Sequence, residues 1–231
     1  MANIRSLCTS PSPTMLNNNP LTTLAKGDRN TLKSDQRVST SAPASMPTGE
    51  TCRRLVEEMG NSDEHQKVRS AITLFSSSCT VAQKTLATQE LHKIMRSSRN
   101  DGERLKAARE LARAARQELA QQAITVLRTL VQKEAAQGDI RYFAAEAIIV
   151  STRAKKADAK IAMNTLRAIA MDKGVPSRYQ FDAARLLLTH GSCEDRLSAL
   201  RVIQWLTVDN SDDVRNDAKK ALLTFFGLIV R

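Results

Sequence analysis

The sequence predicts an all-α chain, an α-α superhelix of about four stacked helical hairpins behind an N-terminal cap. Three observations predict it. From about residue 51 onward apolar residues recur at helical spacing, and no strand-like alternation interrupts them. Turn formers return at a fixed interval: Gly102, Gly138 and Gly174 are 36 residues apart, and the next step lands on Asn210, the other residue type that tolerates a left-handed helix closure. Arg104, Arg141, Arg178 and Arg215 follow these turns at intervals of 37. Two nearly equal periods in step are the signature of stacked hairpins.

The elements follow in order. Residues 1–50 are expected to be a disordered tail, because residues 1–49 hold fourteen Ser or Thr and five of the six prolines and have too few apolar groups to offset their ordering entropy. Residues 51–231 form the folded domain. A less regular segment at 51–78 opens it and is expected to cap the stack, since terminal units of solenoids are atypical. First helices are predicted over 80–98, 119–134, 157–171 and 193–208. Each carries a Leu and a Leu or Ile three apart around polar residues, as in "LHKI" at 91–94, "LRTL" at 127–130, "LRAI" at 166–169 and "LRVI" at 200–203. Second helices are predicted over 103–117, 139–152, 177–190 and 212–227. The apolar end, with Phe225, Phe226, Leu228 and Ile229, is expected to fold back onto the last hairpin.

Within the second helices an acid, a branched aliphatic residue and an arginine precede spaced alanines. "DNSDDVRNDAKKAL" sets Asp209 six before Arg215, followed by Ala218, Ala221 and Leu222. "DKGVPSRYQFDAARLL" keeps Asp172 six before Arg178 but puts Phe181 where a small residue is usual, so the register there is expected to slip by about two. "GDIRYFAAEAI" keeps Ile140, Arg141, Ala144, Ala147 and Ile148. This pattern resembles that of HEAT and armadillo-like repeats over about residues 80–227. The resemblance implies that Arg141, Arg178 and Arg215 are framework residues bonding with the aspartates along the stack. It also implies that second helices line the groove.

The composition narrows the function. The balance of 35 Lys and Arg against 24 Asp and Glu gives a net charge of +11, which admits acidic proteins, nucleic acid or anionic lipid as partners. Cys8, Cys52, Cys79 and Cys193 show neither CxxC nor close spacing, so zinc sites and disulfide frameworks are not expected, and the thiols read as free in a reducing, cytoplasmic compartment. No apolar run reaches the roughly 18 residues of a membrane span, so no membrane insertion is expected. Phosphate-loop, dinucleotide, zinc-protease and nucleophile-elbow motifs are absent. His65, His92 and His190 fall in different hairpins, and His190 three before Cys193 lacks an orienting acid. No catalytic residue, metal site or cofactor is therefore expected.

The tail is Ser/Thr-rich and acid-poor. That is compatible with a plain flexible terminus or an organelle transit peptide, and it also resembles the secretion signals of bacterial type III effectors, which implies delivery into a host cell.

The candidate partner-binding residues are Lys106, Arg109, Arg113, Arg116, Tyr142 and Tyr179. On one helix over "ERLKAARELARAARQEL", residues 103–119, the four cations fall within an arc of about 80° opposite Leu105, Ala108 and Leu111. Tyr142 and Tyr179 each follow a repeat arginine and suit the surface, whereas Phe143 and Phe181 suit the core. Arg153, Lys155, Lys156 and Lys160 form a second cluster, read as capping a helix carboxy terminus. The expected function is a monomeric, non-enzymatic adaptor for a protein with an acidic surface. The alternative is a nucleic-acid-binding protein that grips phosphates through the same stripe.

Overall fold

A computed structural model describes residues 49–113, 116–133 and 138–229. The chain divides into two units, Met1–Ser45 and Met46–Arg231, and the described residues all belong to the second. The tail expected over residues 1–50 therefore lies, apart from its last two residues, outside the described part.

Among the described residues there are ten helices and no strand: α1 (Gly49–Asn61), α2 (Glu64–Ser76), α3 (Val81–Ser97), α4 (Asp101–Ala112), α5 (Gln117–Gln132), α6 (Gly138–Val150), α7 (Lys156–Met171), α8 (Ser177–His190), α9 (Cys193–Leu206) and α10 (Asp212–Ile229). Each packs on its successor and, more lightly, on the next but one. Odd helices therefore form one layer and even helices the other, and the hairpins advance in sequence order. The fold is the predicted all-α superhelix. Residues 51–78 do not form an irregular cap: α1 and α2 make a complete first hairpin packed like the rest.

Small residues set how closely the layers approach. Ala107 and Ala108 in α4, Ala144 and Ala145 in α6, and Ala183 and Ala184 in α8 are all fully buried, with Leu111, Ile148 and Leu187 one turn later. In α2 the same positions are Ser70, Ala71 and Leu74. A larger side chain at any of these would push two helices apart. In α10 the pair breaks: Ala218 is buried and Lys219 exposed. The odd layer contributes Leu91, Leu127, Leu166 and Ile203 to the same continuous core.

The periodic turns work differently from the expectation. No described residue has a positive φ, so Gly102, Gly138, Gly174 and Asn210 do not close helices in the left-handed region. Instead, the side chains of Asn100, Asp172 and Asp209 each accept a hydrogen bond from the backbone N–H two residues on, at Gly102 (2.9 Å), Gly174 (2.8 Å) and Ser211 (2.8 Å). Glycine fits because a Cβ at 102 or 174 would lie 3.2 Å from that side-chain oxygen.

The repeat arginines serve as helix caps. Arg104 Nε donates to the Met95 carbonyl (3.4 Å) and Arg141 Nε to Val131 (3.4 Å), each in the last turn of an odd helix, and Arg215 donates to the Asp209 carbonyl (2.7 Å) in the turn after α9. Arg104, Arg141 and Arg215 thus bond carbonyls, and the expected Asp–Arg bond between successive repeats is made by Arg178. In α8 the capping role passes to the buried Gln180, which donates to Asp172 O (3.0 Å) and Val175 O (2.6 Å). That is the two-residue register slip, and it frees Arg178 to bridge Asp182 (3.1 Å) and Asp217 of α10 (2.7 Å).

Along the odd layer a second series of polar bonds joins successive hairpins. His92 meets Gln122 at 2.8 Å, Arg128 meets Asp158 at 3.1 Å, and Arg167 meets Asp195 at 2.5 Å. Each donor is the polar residue after the leucine of the "LHKI", "LRTL" or "LRAI" run, so the repeated motif encodes both the apolar seam and its bracing.

One expectation is corrected by packing. Cys52 of α1 and Cys79 in the α2–α3 turn form a disulfide, with Cα atoms 6.0 Å apart across 27 residues of sequence. No described cysteine, Cys193 included, is a free thiol. The hairpin brings these positions together, and no local spacing announces it. Disulfides persist in oxidising surroundings, so a reducing compartment loses the thiol argument on which it rested. At the other end α10 continues as one helix to Ile229 with Leu223 exposed, and the expected packing of Phe226, Leu228 and Ile229 onto the last hairpin falls on side chains outside the described part.

Candidate interaction surface

The predicted basic stripe lies only partly on one helix. α4 ends at Ala112, Arg113 is its C-cap, and Arg116 is the N-cap of α5, so Arg116 leaves the stripe. The three remaining cations each meet an acid. Lys106 donates to Glu103 at 2.9 Å, Arg109 reaches Glu146 of α6 at 3.3 Å, and Arg113 pairs with Glu110 at 3.3 Å. Glu103 is buried and is shared with His65 of α2 at 2.9 Å. Within a Debye length these acids cancel much of the field that the sequence alone assigns to α4.

The aromatic assignment is exchanged between neighbours. Tyr142, expected at the surface, is buried beside Ala144 and Ala145, and Phe143, expected in the core, is half-buried at the rim. The helix had to turn both alanines into the layer, and Tyr142, three before Ala145, turned in with them. Burial pushes the Tyr142 hydroxyl above the ordinary tyrosine range, helped by Glu146 and Asp182 and opposed more weakly by Arg185 and Arg109. Asp182 is likewise raised by burial, against the pull of Arg178 and Arg185.

The structure does bring Arg109, Tyr142 and Tyr179 together. The Tyr179 ring of α8 lies 5.6 Å from Tyr142 and 6.0 Å from Phe143, and the Arg109 guanidinium sits 5.2 Å over Phe143. Arg109, Phe143 and Tyr179 therefore form a half-buried patch across α4, α6 and α8, with Lys106 one turn earlier on α4. Arg113 and Arg116 stand outside it, in the α4–α5 connection.

A second patch escaped sequence reasoning. Met171 at the end of α7, Trp205 near the end of α9 and Val208 in the turn after it are 54%, 48% and 75% exposed. Lys173 lies 6.0 Å from the Trp205 ring centroid. Trp205 and Val208, with Asp209 and Asn210, line a shallow depression of about 140 Å³. Two residues after the buried Ile94, Leu130, Ile169 and Ile203 the chain carries Arg96, Gln132, Met171 and Trp205. One exposed repeat position thus changes from polar in two hairpins to large and apolar in the next two. The signal was present in the sequence, once the repeats were aligned on their buried aliphatics.

Among the described residues the candidates for chemistry stay apart. His65, His92 and His190 belong to different hairpins. In "HGSC", Gly191 caps α8, and the Ser192 side chain bonds the Asp195 backbone N–H at the start of α9. Among the described residues no cluster of three His, Cys, Asp or Glu could hold a metal ion, and no helix is long and apolar enough to cross a membrane.

The second basic cluster spans the α6–α7 connection and the first turns of α7, as the sequence placed it. Lys155 is the N-cap of α7 and Lys156 its first residue, so these cations face the positive end of the helix dipole instead of stabilising a carboxy terminus. No protein-family model, no curated protein and no solved structure matches the chain.

Proposed function

We propose that this chain is a non-enzymatic adaptor whose stacked hairpins hold a fixed surface for a protein partner. The observation that carries this reading is the change of one exposed repeat position from Arg96 and Gln132 to Met171 and Trp205, beside the exposed Val208. Framework packing needs no apolar group there, and a half-exposed tryptophan in a shallow depression is the kind of anchor that dominates binding energy. Lys173 over Trp205 suits a partner bearing acids around an apolar segment. The rival reading, a phosphate grip through α4, is weakened by Glu103, Glu146 and Glu110, which already engage its cations. Delivery into a host cell rests on the tail composition alone and stays a proposal of that weight.

The test is affinity capture by the full chain, with and without nuclease, compared with Trp205→Ala and with Arg109→Ala plus Tyr179→Ala. A partner that survives nuclease and is lost at least tenfold with Trp205→Ala supports the adaptor. Retention only of nuclease-sensitive material, or a partner indifferent to both variants, refutes it.

A further inference from the structure

The connections between successive hairpins lie along one edge of the stack, and the middle of that edge carries most of its charge. The α4–α5 connection supplies Arg113 and Arg116, and the α6–α7 connection with the start of α7 supplies Arg153, Lys155, Lys156 and Lys160. The two connections are neighbours: Gln121 in α5 donates to the Arg153 carbonyl at 2.6 Å, and Arg128 of α5 reaches Asp158 of α7 at 3.1 Å. The acids nearby are few. Glu110 pairs with Arg113, Asp158 is buried against Arg128, and Glu118 is the exposed acid of the first turn of α5. Among the described residues Arg116, Lys155, Lys156 and Lys160 have no acid within ion-pairing distance, in contrast to the α4 stripe.

This placement does not serve the fold. Arg116 and Lys155 occupy N-cap positions and make no side-chain capping bond, whereas the flanking odd helices α3 and α9 start with Thr80 and Ser192 capping boxes. Cations at a helix N-terminus oppose the dipole. The repeated cost at two adjacent hairpins, together with Arg116, Lys155, Lys156 and Lys160 having no acid within ion-pairing distance among the described residues, marks a surface built to meet negative charge.

We propose that this edge docks the chain peripherally on the anionic face of a lipid bilayer. Three features favour a bilayer over a nucleic acid. The cations come from connections arrayed along an edge, so several can meet a plane at once. Exposed aliphatic residues accompany them, Val150 (55%) just before the α6–α7 connection and Val81 (83%) at the start of α3 on the same edge. No aromatic residue lies in these connections to stack on a base. Lysines with adjacent aliphatic groups match the chemistry by which polybasic surfaces bind acidic headgroups without insertion.

The experiment is co-sedimentation of the full chain with vesicles of phosphatidylcholine alone or with about a third phosphatidylserine, at roughly 0.1 M salt, where the Debye length is about 10 Å. Each cation near such a surface adds on the order of fivefold to binding, so removing three costs about a hundredfold and K155E/K156E/K160E, which also adds three repelled carboxylates, is expected to lose at least that much. Acids at 155 and 156 favour the α7 terminus, so this variant keeps its helical circular dichroism and melting temperature, and lost binding reports the surface. Wild type that ignores phosphatidylserine vesicles, binds both lipids equally, or binds duplex DNA but not vesicles overturns the proposal. So does a triple variant that binds as well as wild type. The edge shares no residue with the Trp205 patch, so either reading can fail while the other stands.

Discussion

Asp195 ties together capping and bracing, and replacing it with alanine tests the stack most directly. Its Oδ2 accepts from the Ser192 N–H (3.0 Å) and hydroxyl (2.8 Å), completing the capping box of α9, while its Oδ1 accepts from Arg167 Nε (2.9 Å) across to α7. The loss of the box costs about 1 kcal/mol. The Arg167 bonds are charge-assisted, but that guanidinium is 42% exposed, so solvent screening holds their share to about 1 kcal/mol. Asp195→Ala should therefore destabilise by about 2 kcal/mol, or about 4 to 8 °C in Tm for a domain of this size. Lys93→Ala, which breaks the 4.0 Å pair with Glu90, should stay within about 0.5 kcal/mol as the control.

The pH dependence has a definite sign. Burial alone would raise the Asp195 carboxyl, but the hydrogen bonds from Ser192 and Arg167 outweigh it and hold the group below the ordinary carboxylate range. Its contribution is present above the unfolded value of about 4 and is lost as the pH falls through the lower folded value. Thermal melts of wild type and Asp195→Ala from pH 7 to 2 should converge at the acid end. A Tm change under about 1 °C at pH 7 or a coupling to Arg167→Ala below about 0.3 kcal/mol would refute the bracing argument.

Other measurements bear on separate elements. Reducing Cys52–Cys79, which closes a 27-residue separation, should cost about 3 kcal/mol, and hydrogen exchange should rise first in α1; unchanged exchange there would mean that packing alone holds the first hairpin. Gln180→Leu should cost about 1 to 2 kcal/mol in chemical denaturation, because the Asp172 and Val175 carbonyls lose their donor. A neutral result would remove Gln180 from the capping role. In an alkaline absorbance titration the Tyr142 hydroxyl should stay un-ionised beyond the ordinary tyrosine range, because burial holds it there. Because the unfolded chain ionises near pH 10, stability should then fall above that pH, and ionisation of Tyr142 at about that pH in the folded state would contradict the burial.

How much was legible depended on the range of the interaction. The helix positions followed from spacing because each is a local matter of side chains three and four apart. The two-residue slip in α8 was legible too, since a bulky Phe181 cannot occupy a close-approach position and Ala183 and Ala184 can. The Met171, Trp205 and Val208 patch needed the repeats aligned on buried positions, because exposure is a property of neighbours rather than of residue type. The α4 stripe looked stronger in the sequence than it is, because Glu146 is 37 residues from Arg109 and only the packing of α6 on α4 brings it near.

The sequence alone determined the all-α class, the hairpin order and the placement of the aliphatic seam, since helix periodicity and turn chemistry act within a few residues. Tertiary structure decided the Cys52–Cys79 bond, the exchange of Tyr142 and Phe143, and which cations remain unneutralised. Each of these depends on which helix lies beside which, and on small rotations about a helix axis that no residue pattern fixes before the layers meet.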